Sequence, residues 1–500
     1  MYTGFLMLSF EYSHNLCRFT YSSVGEYDTL QQLLTPPNPP DNKGFVDTEN
    51  HTIPTGLLDH SMELLRHKGI ECVCTNKPED NELFVCEKPD ILDGITLDNI
   101  QMRTVNKMLV SKRGIVKVGT GGGKTEMALA CLKTINRPSL ILTTRVKHSD
   151  NMYERLIKRG FKSVGFLGDS KKTIGHITVA VVDTLFNEIN MGNSKVIAWL
   201  NKVDVLIVDE AHRAAANRCF AVACMCPAKY RFYLSATPFD EKDNVYSNYH
   251  DMAIIGMSGR VIVNIPISYL IKINRAVPVH VMSMHINSPK MNTKNRNYHK
   301  VYEYGITKNH VRNCIITSLT YNLYKEPNNR ILVLTKIIQH GQNLLNYFAR
   351  LGINCIYSSG STVQHLRDSV ISEGSAEDNI HDAFFDGKPN VLIGSTIYDE
   401  AVDIQNITDI ILAGADKKAS VQEQRVGRGV RTFTGKIALR VWDFIDNQHW
   451  ILSNQQTERS AVWRHPDNGF KSVIINPREL IAEGMSRLNC DMPSDYIHYS

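Results

Sequence analysis

From Ile95 onward the chain alternates short, unbroken apolar runs rich in Val and Ile with stretches of helical periodicity. Ile115–Val118, Leu140–Thr143, Ile177–Val182, Val205–Val208 and Phe232–Leu234 form one series. After a break, Ile331–Thr335, Cys355–Tyr357, Val391–Gly394, Ile410–Leu412 and Leu439–Phe444 form a second. Strands that are apolar on both faces and separated by helices belong to parallel sheets covered on both sides. The pattern predicts two α/β domains, over about 96–270 and 314–455, joined by a segment at 271–313. Residues 1–95 have a different texture and read as a small α+β module. Its elements are a helix over Leu57–Leu65, a short strand at Leu83–Cys86 and a stiff loop at Pro36-Pro37-Asn38-Pro39-Pro40. Residues 456–500 are a mixed tail.

A length of 500 residues agrees with several cores rather than one. No run of about 18 apolar residues is present, so no membrane span is expected. The start lacks a basic leader and meets Glu11 early, and eleven cysteines in no regular framework suit a reducing compartment; a cytoplasmic location is expected. Cys72-Val73-Cys74 with Cys86 has the wrong spacing for zinc and reads as buried strand cysteines, and Cys224-Met225-Cys226 reads as core. The net charge of +5 hides an asymmetry. Residues 1–95 hold 6 Lys/Arg against 15 Asp/Glu, so −9, which leaves +14 on residues 96–500. A basic body permits a polyanionic partner.

The strongest local signal is Val118-Gly119-Thr120-Gly121-Gly122-Gly123-Lys124-Thr125, between a buried strand and the helical run Glu126–Lys133. Glycines let backbone N–H groups close on phosphates at a helix N-terminus. Lys124 supplies a point charge and Thr125 a hydroxyl for Mg²⁺. The strict phosphate-loop pattern has Gly where this chain has Val118. A second apolar strand ends in Asp209-Glu210-Ala211-His212, 85 residues beyond Lys124. Carboxylates at the C-terminal end of a parallel strand face the crevice where ligands bind. Asp209 suits Mg²⁺ and Glu210 a general base acting on water.

These residues resemble superfamily 2 helicases over about 96–450. The phosphate loop fits that family's first motif, with Val118 in place of Ala. Asp209-Glu210-Ala211-His212 resembles the DEAH form of its second. Ser235-Ala236-Thr237-Pro238, 26 residues after Asp209, resembles the third, and Gln424-Arg425-Val426-Gly427-Arg428-Gly429-Val430-Arg431 the sixth. Thr396 with Glu400-Ala401-Val402-Asp403-Ile404 is similar to the fifth, Ala401 replacing its Gly. Leu97 and Gln101 resemble the adenine-reading motif, with departures at Asp98, Asn99 and Ile100. Asp183-Thr184-Leu185 and the segment Gly256–Leu270 narrow the likeness to the XPB-like group, the phage UvsW and T5-type recombination helicases and the restriction translocases.

The resemblance implies two RecA-like motor domains behind an accessory module, and an ATP-dependent DNA helicase or translocase acting on forked, branched or single-stranded DNA. The alternatives are a duplex translocase without unwinding and an RNA helicase. It implies ATP and Mg²⁺ as cofactors, with Gln101, Gly119 to Thr125 and Asp403 on the nucleotide and Thr125 and Asp209 on the metal. Lys124, Asp209, Glu210, Gln424, Arg428 and Arg431 would be catalytic, the two arginines reaching the γ-phosphate from the second domain. Arg425 reads equally as an exposed ion pair. His212, Ser235 and Thr237 would couple ATP to the nucleic acid. Thr144, Arg145, Thr184, Lys336 and Thr396 would touch its backbone. The motor is expected to be monomeric, with recombination or replication proteins as partners. Residues 287–312 hold six Lys/Arg and one acid among three tyrosines; they suit single-strand binding or a strand-separating element or, more simply, a solvated interdomain linker with a helix.

Overall fold

The computed structural model describes all residues except 1–6, 38, 40–43, 78–81, 169–170, 211–216, 240–245, 247, 293, 295, 360–361, 375–379, 388, 396–404, 416–418 and 498–500. The chain divides into two compact units: Met1–Gly119 with Gly123–Ile265, and Thr120–Gly122 with Pro266–Ser500. Both are α/β and dominated by parallel sheets.

In the first unit an eight-stranded sheet runs in the order Val261–Ile265, Arg113–Val118, Tyr230–Ser235, Val205–Asp209, Ser139–Thr143, Ile177–Val181, Val164–Leu167, Lys172–Thr173. All neighbours are parallel except the last pair. The runs marked by their apolar pattern are its central strands, and Leu140, Val179, Leu206 and Phe232 have no solvent exposure. Continuous apolar sequence is thus explained by helices on both faces.

The N-terminal residues form a four-stranded sheet, ordered Thr52–Pro54, Leu16–Thr20, Met7–Glu11, Glu71–Thr75. The helices Val24–Leu33 and Leu58–His67 pack with it, the first begun by a capping box between Ser23 and Glu26. Phe10, Phe19, Leu57 and Leu65 share one core with Tyr233, Met252 and Ile255 of the larger sheet's layer. Gly56 marks the seam, where a Cβ would lie 1.9 Å from the Ile255 carbonyl oxygen. Only glycine allows backbone to approach that closely. Leu83–Cys86 is not a strand. The Cys86 N–H and C=O are both satisfied by the Asn106 amide on the helix Asn99–Ser111, at 2.8 and 3.1 Å, so that segment needs no strand partner. Cys72 and Cys86 sit in different cores, so they do not make a metal site together. Cys226 is buried, whereas Met225 is largely exposed.

The second unit carries a nine-stranded sheet, ordered Val370–Gly374, Thr362–Arg367, Cys355–Ser359, Val391–Gly394, Ile331–Leu334, Asp409–Ile411, Leu439–Asp446, Val279–Ile286, Lys471–Ile474. The first three strands are an antiparallel meander and the rest are parallel. Two buried ion pairs tie helices to the strand Leu439–Asp446: Arg312 to Asp446 at 2.8 Å and Arg459 to Asp443 at 3.1 Å. The C-terminal residues belong to this unit's core. Ile481 and Met485 of the helix Arg478–Arg487 pack with Leu319 and Leu323 of the helix His310–Tyr324. No helix among the described residues is long and apolar enough to cross a membrane.

Candidate active site

In the first unit four adjacent parallel strands end at one edge of the sheet: Arg113–Val118, Tyr230–Ser235, Val205–Asp209 and Ser139–Thr143. Lys124, Ser235, Asp209 and Thr144 therefore stand at or just beyond the same edge, although up to 111 positions separate them in the chain.

The loop after Val118 turns through Gly121 at φ 86° and Gly123 at φ 84° before the helix Lys124–Ile135. Both angles lie in the left-handed region that glycine adopts freely. Gly123 has a second reason to be glycine: a Cβ there would lie 2.2 Å from Nε2 of Gln101. Gln101 is buried, and its Oε1 accepts from the Asp98 N–H at 3.1 Å, while Asp98 Oδ1 accepts from the N–H groups of Ile100 and Gln101. Asp98 is thus the N-cap of the helix Asn99–Ser111, and Gln101 closes its capping box. The Lys124 amine donates to the Val118 carbonyl oxygen at 3.0 Å.

At the neighbouring strand end, Asp209 Oδ1 accepts the Glu210 N–H at 3.0 Å, and Glu210 has the left-handed φ of 54°. A bulky residue held there is strained, and strain of this kind gathers at functional sites. Burial, then the Glu210 carboxylate, pushes the Asp209 carboxyl up to about 6, against the pull of Lys124 and His148. The site disfavours the carboxylate charge, and a bound cation would compensate it. The open N-terminus of the helix Lys124–Ile135, the lysine and these two acids fit a magnesium-bound nucleoside triphosphate. Gly119, Thr120, Gly122 and Thr125 complete the loop. His148, near the start of the helix Val146–Lys158, acts on Asp209 and was not singled out from sequence. An isolated histidine early in a helix carries no pattern to flag it.

Beside this, the buried Ser235 Oγ accepts the Thr237 N–H at 3.1 Å. The Thr144 hydroxyl is buried with no partner among the described residues, and Arg145 is the N-cap of the next helix. Thr184 lies in the first turn of the helix Val182–Asn190, which follows its strand directly, and it is buried. A cleft of about 460 Å³ opens at the opposite, N-terminal ends of the strands. Tyr12, His60 and Lys77 of the N-terminal residues line it with Lys112, Lys229 and Arg260. The N-terminal segment brings Asp59 and Glu63 to this cleft as well, so its basic character comes mainly from Lys112, Arg113, Lys229 and Arg260.

On the second unit, Gln424, Arg425 and Arg428 lie on the helix Ala419–Gly429, and Arg431 follows in a short bridge with Ala276. Arg425 is 1% exposed, which rules out the exposed ion pair. Thr335 and Ser395 end neighbouring parallel strands. The Lys336 amine sits 5.6 and 5.7 Å from the ring centres of Tyr298 and Tyr302 and donates to the Tyr298 hydroxyl at 3.3 Å. The basic stretch 287–312 is therefore no free linker: Val301, Tyr302 and Ile306 are buried against Leu452. Arg312 is buried too, whereas Tyr304 is exposed. His212, Thr396 and Asp403 lie outside the described residues, as do Ala211 and Glu400 to Ile404.

Two family models match. "Type III restriction enzyme, res subunit" covers residues 94–240, and "Helicase conserved C-terminal domain" covers residues 311–433. Together with the two parallel-sheet units they define a helicase motor, and the chain belongs to the superfamily 2 helicases. Membership implies ATP hydrolysis. Among relatives, the DNA 3'-5' translocase XPB2 of Sulfurisphaera tokodaii is 23% identical over 371 residues, 71% of this chain and 82% of its own length. The type ISP restriction-modification enzyme LlaBIII, solved bound to DNA, aligns with 86% of this chain and 36% of its own at TM-score 0.55 and 13% identity. The crystal structure of T4 UvsW aligns with 94% of this chain and all of its own, at TM-score 0.43 and 16% identity.

Proposed function

We propose that this chain is a DEAH-type, ATP-dependent DNA helicase or translocase that unwinds or branch-migrates forked and branched DNA in recombination, repair or replication. The observation that carries the reading is the meeting of Lys124, Ser235, Asp209 and Glu210 at one edge of four adjacent parallel strands. Phosphoryl transfer needs positioning and charge neutralisation more than covalent chemistry. Lys124 and the loop N–H groups would hold the triphosphate, and Thr125 and Asp209 the magnesium ion. That ion, when bound, neutralises charge on the phosphates. Glu210 would take a proton from the attacking water. Arg428 and Arg431 would supply the always-charged planar guanidinium groups, and Gln424 would orient the γ-phosphate or the water. Because these three belong to the other unit, hydrolysis would depend on the two units closing, and reopening would advance the motor.

Thr144, Arg145, Thr184, Lys336 and Thr396 would hold the nucleic-acid backbone without reading its sequence. Thr184 is buried, so its part would need its helix N-terminus to open. His212, Ser235 and Thr237 would couple the two sites, and Asp403 would reach the nucleotide.

The test is the rate of ATP turnover with single-stranded DNA, duplex, fork, four-way junction and RNA in turn. Stimulation by branched DNA, with strand displacement, is expected. Stimulation by RNA alone would replace this reading with an RNA helicase. Tracking along duplex without strand separation is a second reading, favoured by the translocase name of the Sulfurisphaera relative. Triplex displacement without fork unwinding would establish it. Deleting residues 1–95 would remove the aromatic wall of the basic cleft, and loss of stimulation by branched DNA would assign that segment to substrate engagement.

A further inference from the structure

His310, Cys314 and Cys490 bring three ligand atoms within 4.8 Å of one another, in the second unit and apart from every helicase motif. His310 and Cys314 are four residues apart on the helix His310–Tyr324, so they share one face. Asn309 caps that helix by accepting the Arg312 N–H, which fixes where the first turn starts. Cys490 comes from the C-terminal segment. Asn489 at φ 52° and the Cys490 N–H to Met485 carbonyl bond turn the chain back after the helix Arg478–Arg487. That helix sits against the His310–Tyr324 helix so closely that a Cβ on Gly484 would lie 2.6 Å from the Ser318 backbone.

Cys314 and Cys490 form a disulfide, and a disulfide needs no imidazole. Yet the His310 ring lies against both sulfurs: Nε2 is 3.4 Å from Cys490 Sγ, and Nε2 and Nδ1 are 3.7 and 3.8 Å from Cys314 Sγ. In a tetrahedral zinc site, Zn–S of about 2.3 Å and Zn–N of about 2.0–2.1 Å put the nitrogen about 3.6 Å from each sulfur. Nδ1 of the same ring lies 2.7 Å from the Tyr347 hydroxyl oxygen, on the neighbouring helix Ile338–Arg350. A partner on one ring nitrogen that fixes the lone pair of the other is the arrangement that prepares a histidine to ligate. His310 is exposed, Cys314 buried and Cys490 between the two, so an ion has a way in and solvent can supply a fourth ligand.

We propose that, with the disulfide reduced, His310, Cys314 and Cys490 bind one zinc-like divalent cation, which fastens the C-terminal segment to the second unit. A phosphine reductant and one water convert the S–S bond to two thiols, and the phosphine becomes its oxide. The cation then displaces both thiol protons and takes the Nε2 lone pair. The same two cysteines thus offer two alternative clamps, a covalent one under oxidising conditions and a metal one under reducing conditions.

The test uses the full chain, reduced by a phosphine and freed of excess reductant. Zn²⁺ is measured by equilibrium dialysis and Co²⁺ by thiolate-to-cobalt absorption. One equivalent is expected, lost in both Cys490→Ser and His310→Ala and kept in Cys72→Ser. Tyr347→Phe is expected to bind about tenfold more weakly. Unchanged ATP turnover and circular dichroism confirm that each variant is folded. No equivalent in the reduced chain overturns the proposal. So does an equivalent that survives His310→Ala, which would leave a thiol pair alone.

Discussion

The amine of Lys124 donates to the carbonyl oxygen of Val118 at 3.0 Å, so the phosphate loop holds its own lysine over its first residue. Val118 is the residue that breaks the strict glycine pattern, and its fully buried side chain anchors the strand end from which that carbonyl projects. A phosphate oxygen can displace this neutral acceptor, and the lysine charge also acts on Asp209.

Replacing Lys124 with Ala removes this charge and leaves the strand intact. Loss of one preorganised cation or donor at a reacting centre typically costs about 10²–10³ in rate. Lys124→Ala is expected to lower ATP turnover by that factor or more, with folding unaffected. Steady-state phosphate release beside thermal unfolding checks it. Turnover within twofold of the parent would end the enzyme reading.

Gly123→Ala meets two costs at once. A left-handed φ of 84° disfavours any residue with a Cβ, by about 1–2 kcal/mol, and the added carbon would collide with Gln101. The substitution is expected to destabilise the first unit and to weaken nucleotide binding. Gln101→Ala in the same chain should return part of the loss, because the collision is with that side chain while the φ penalty stays. A double-mutant cycle on denaturant midpoints measures the shared term. A cycle with no coupling would show that Gln101 does not limit the position.

How much of this was legible in the sequence depended on how local the signal was. The central strands declared themselves by apolar runs such as Val205–Val208, and the phosphate loop by its glycines, because both are set by neighbours in the chain. The outer strands did not. Val279–Ile286 mixes buried and half-buried residues, and it finds its place between Leu439–Asp446 and Lys471–Ile474, about 160 or more positions away. Leu83–Cys86 looked like a strand but had no strand to pair with. The packing of Tyr298 and Tyr302 on Lys336, and the pull of His148 on Asp209, join residues from separate elements, and one-dimensional spacing cannot express that. Arg312 looked like part of a basic surface for the same reason: its partner Asp446 lies 134 positions on.

That pair supports a further expectation. Arg312 and Asp446 are both fully buried, and Arg312 also donates to the Ala413 carbonyl oxygen at 2.6 Å. Removing one member of a buried pair strands the other charge, at a cost of about 3–5 kcal/mol. Arg312→Leu is therefore expected to destabilise the second unit by about that amount. Arg312→Leu with Asp446→Asn should recover a good part of it, since no bare carboxylate remains. Urea unfolding followed by tryptophan fluorescence reads both. Equal losses in the single and double variants would show that the helix contact, not the stranded charge, sets the cost.

His340 gives the second unit a pH dependence of its own. Its ring is on the buried face of the helix Ile338–Arg350, and Nε2 donates to the Asn313 side-chain oxygen at 3.0 Å, while Nδ1 has no partner among the described residues. Asn313 is oriented by its own amide, which donates to the Thr307 carbonyl oxygen at 3.1 Å. A proton on Nδ1 would be buried and unpaired with the Arg312 charge nearby; burial first, and that charge second, push the imidazole down to about 3. The unfolded chain takes up this proton near pH 6.5, and the folded unit does so only near 3. Stability is therefore constant above about 6.5 and falls as pH drops below it, by at most ~1.4 kcal/mol per unit. Between pH 7 and pH 5 the loss from this group should be about 2 kcal/mol. His340→Gln keeps a donor toward Asn313 and does not titrate, so its unfolding free energy should fall less over the same interval, by about that difference. Parallel pH series of urea midpoints decide it, and identical slopes in the two proteins would mean that His340 is protonated in the folded unit as easily as in the unfolded chain.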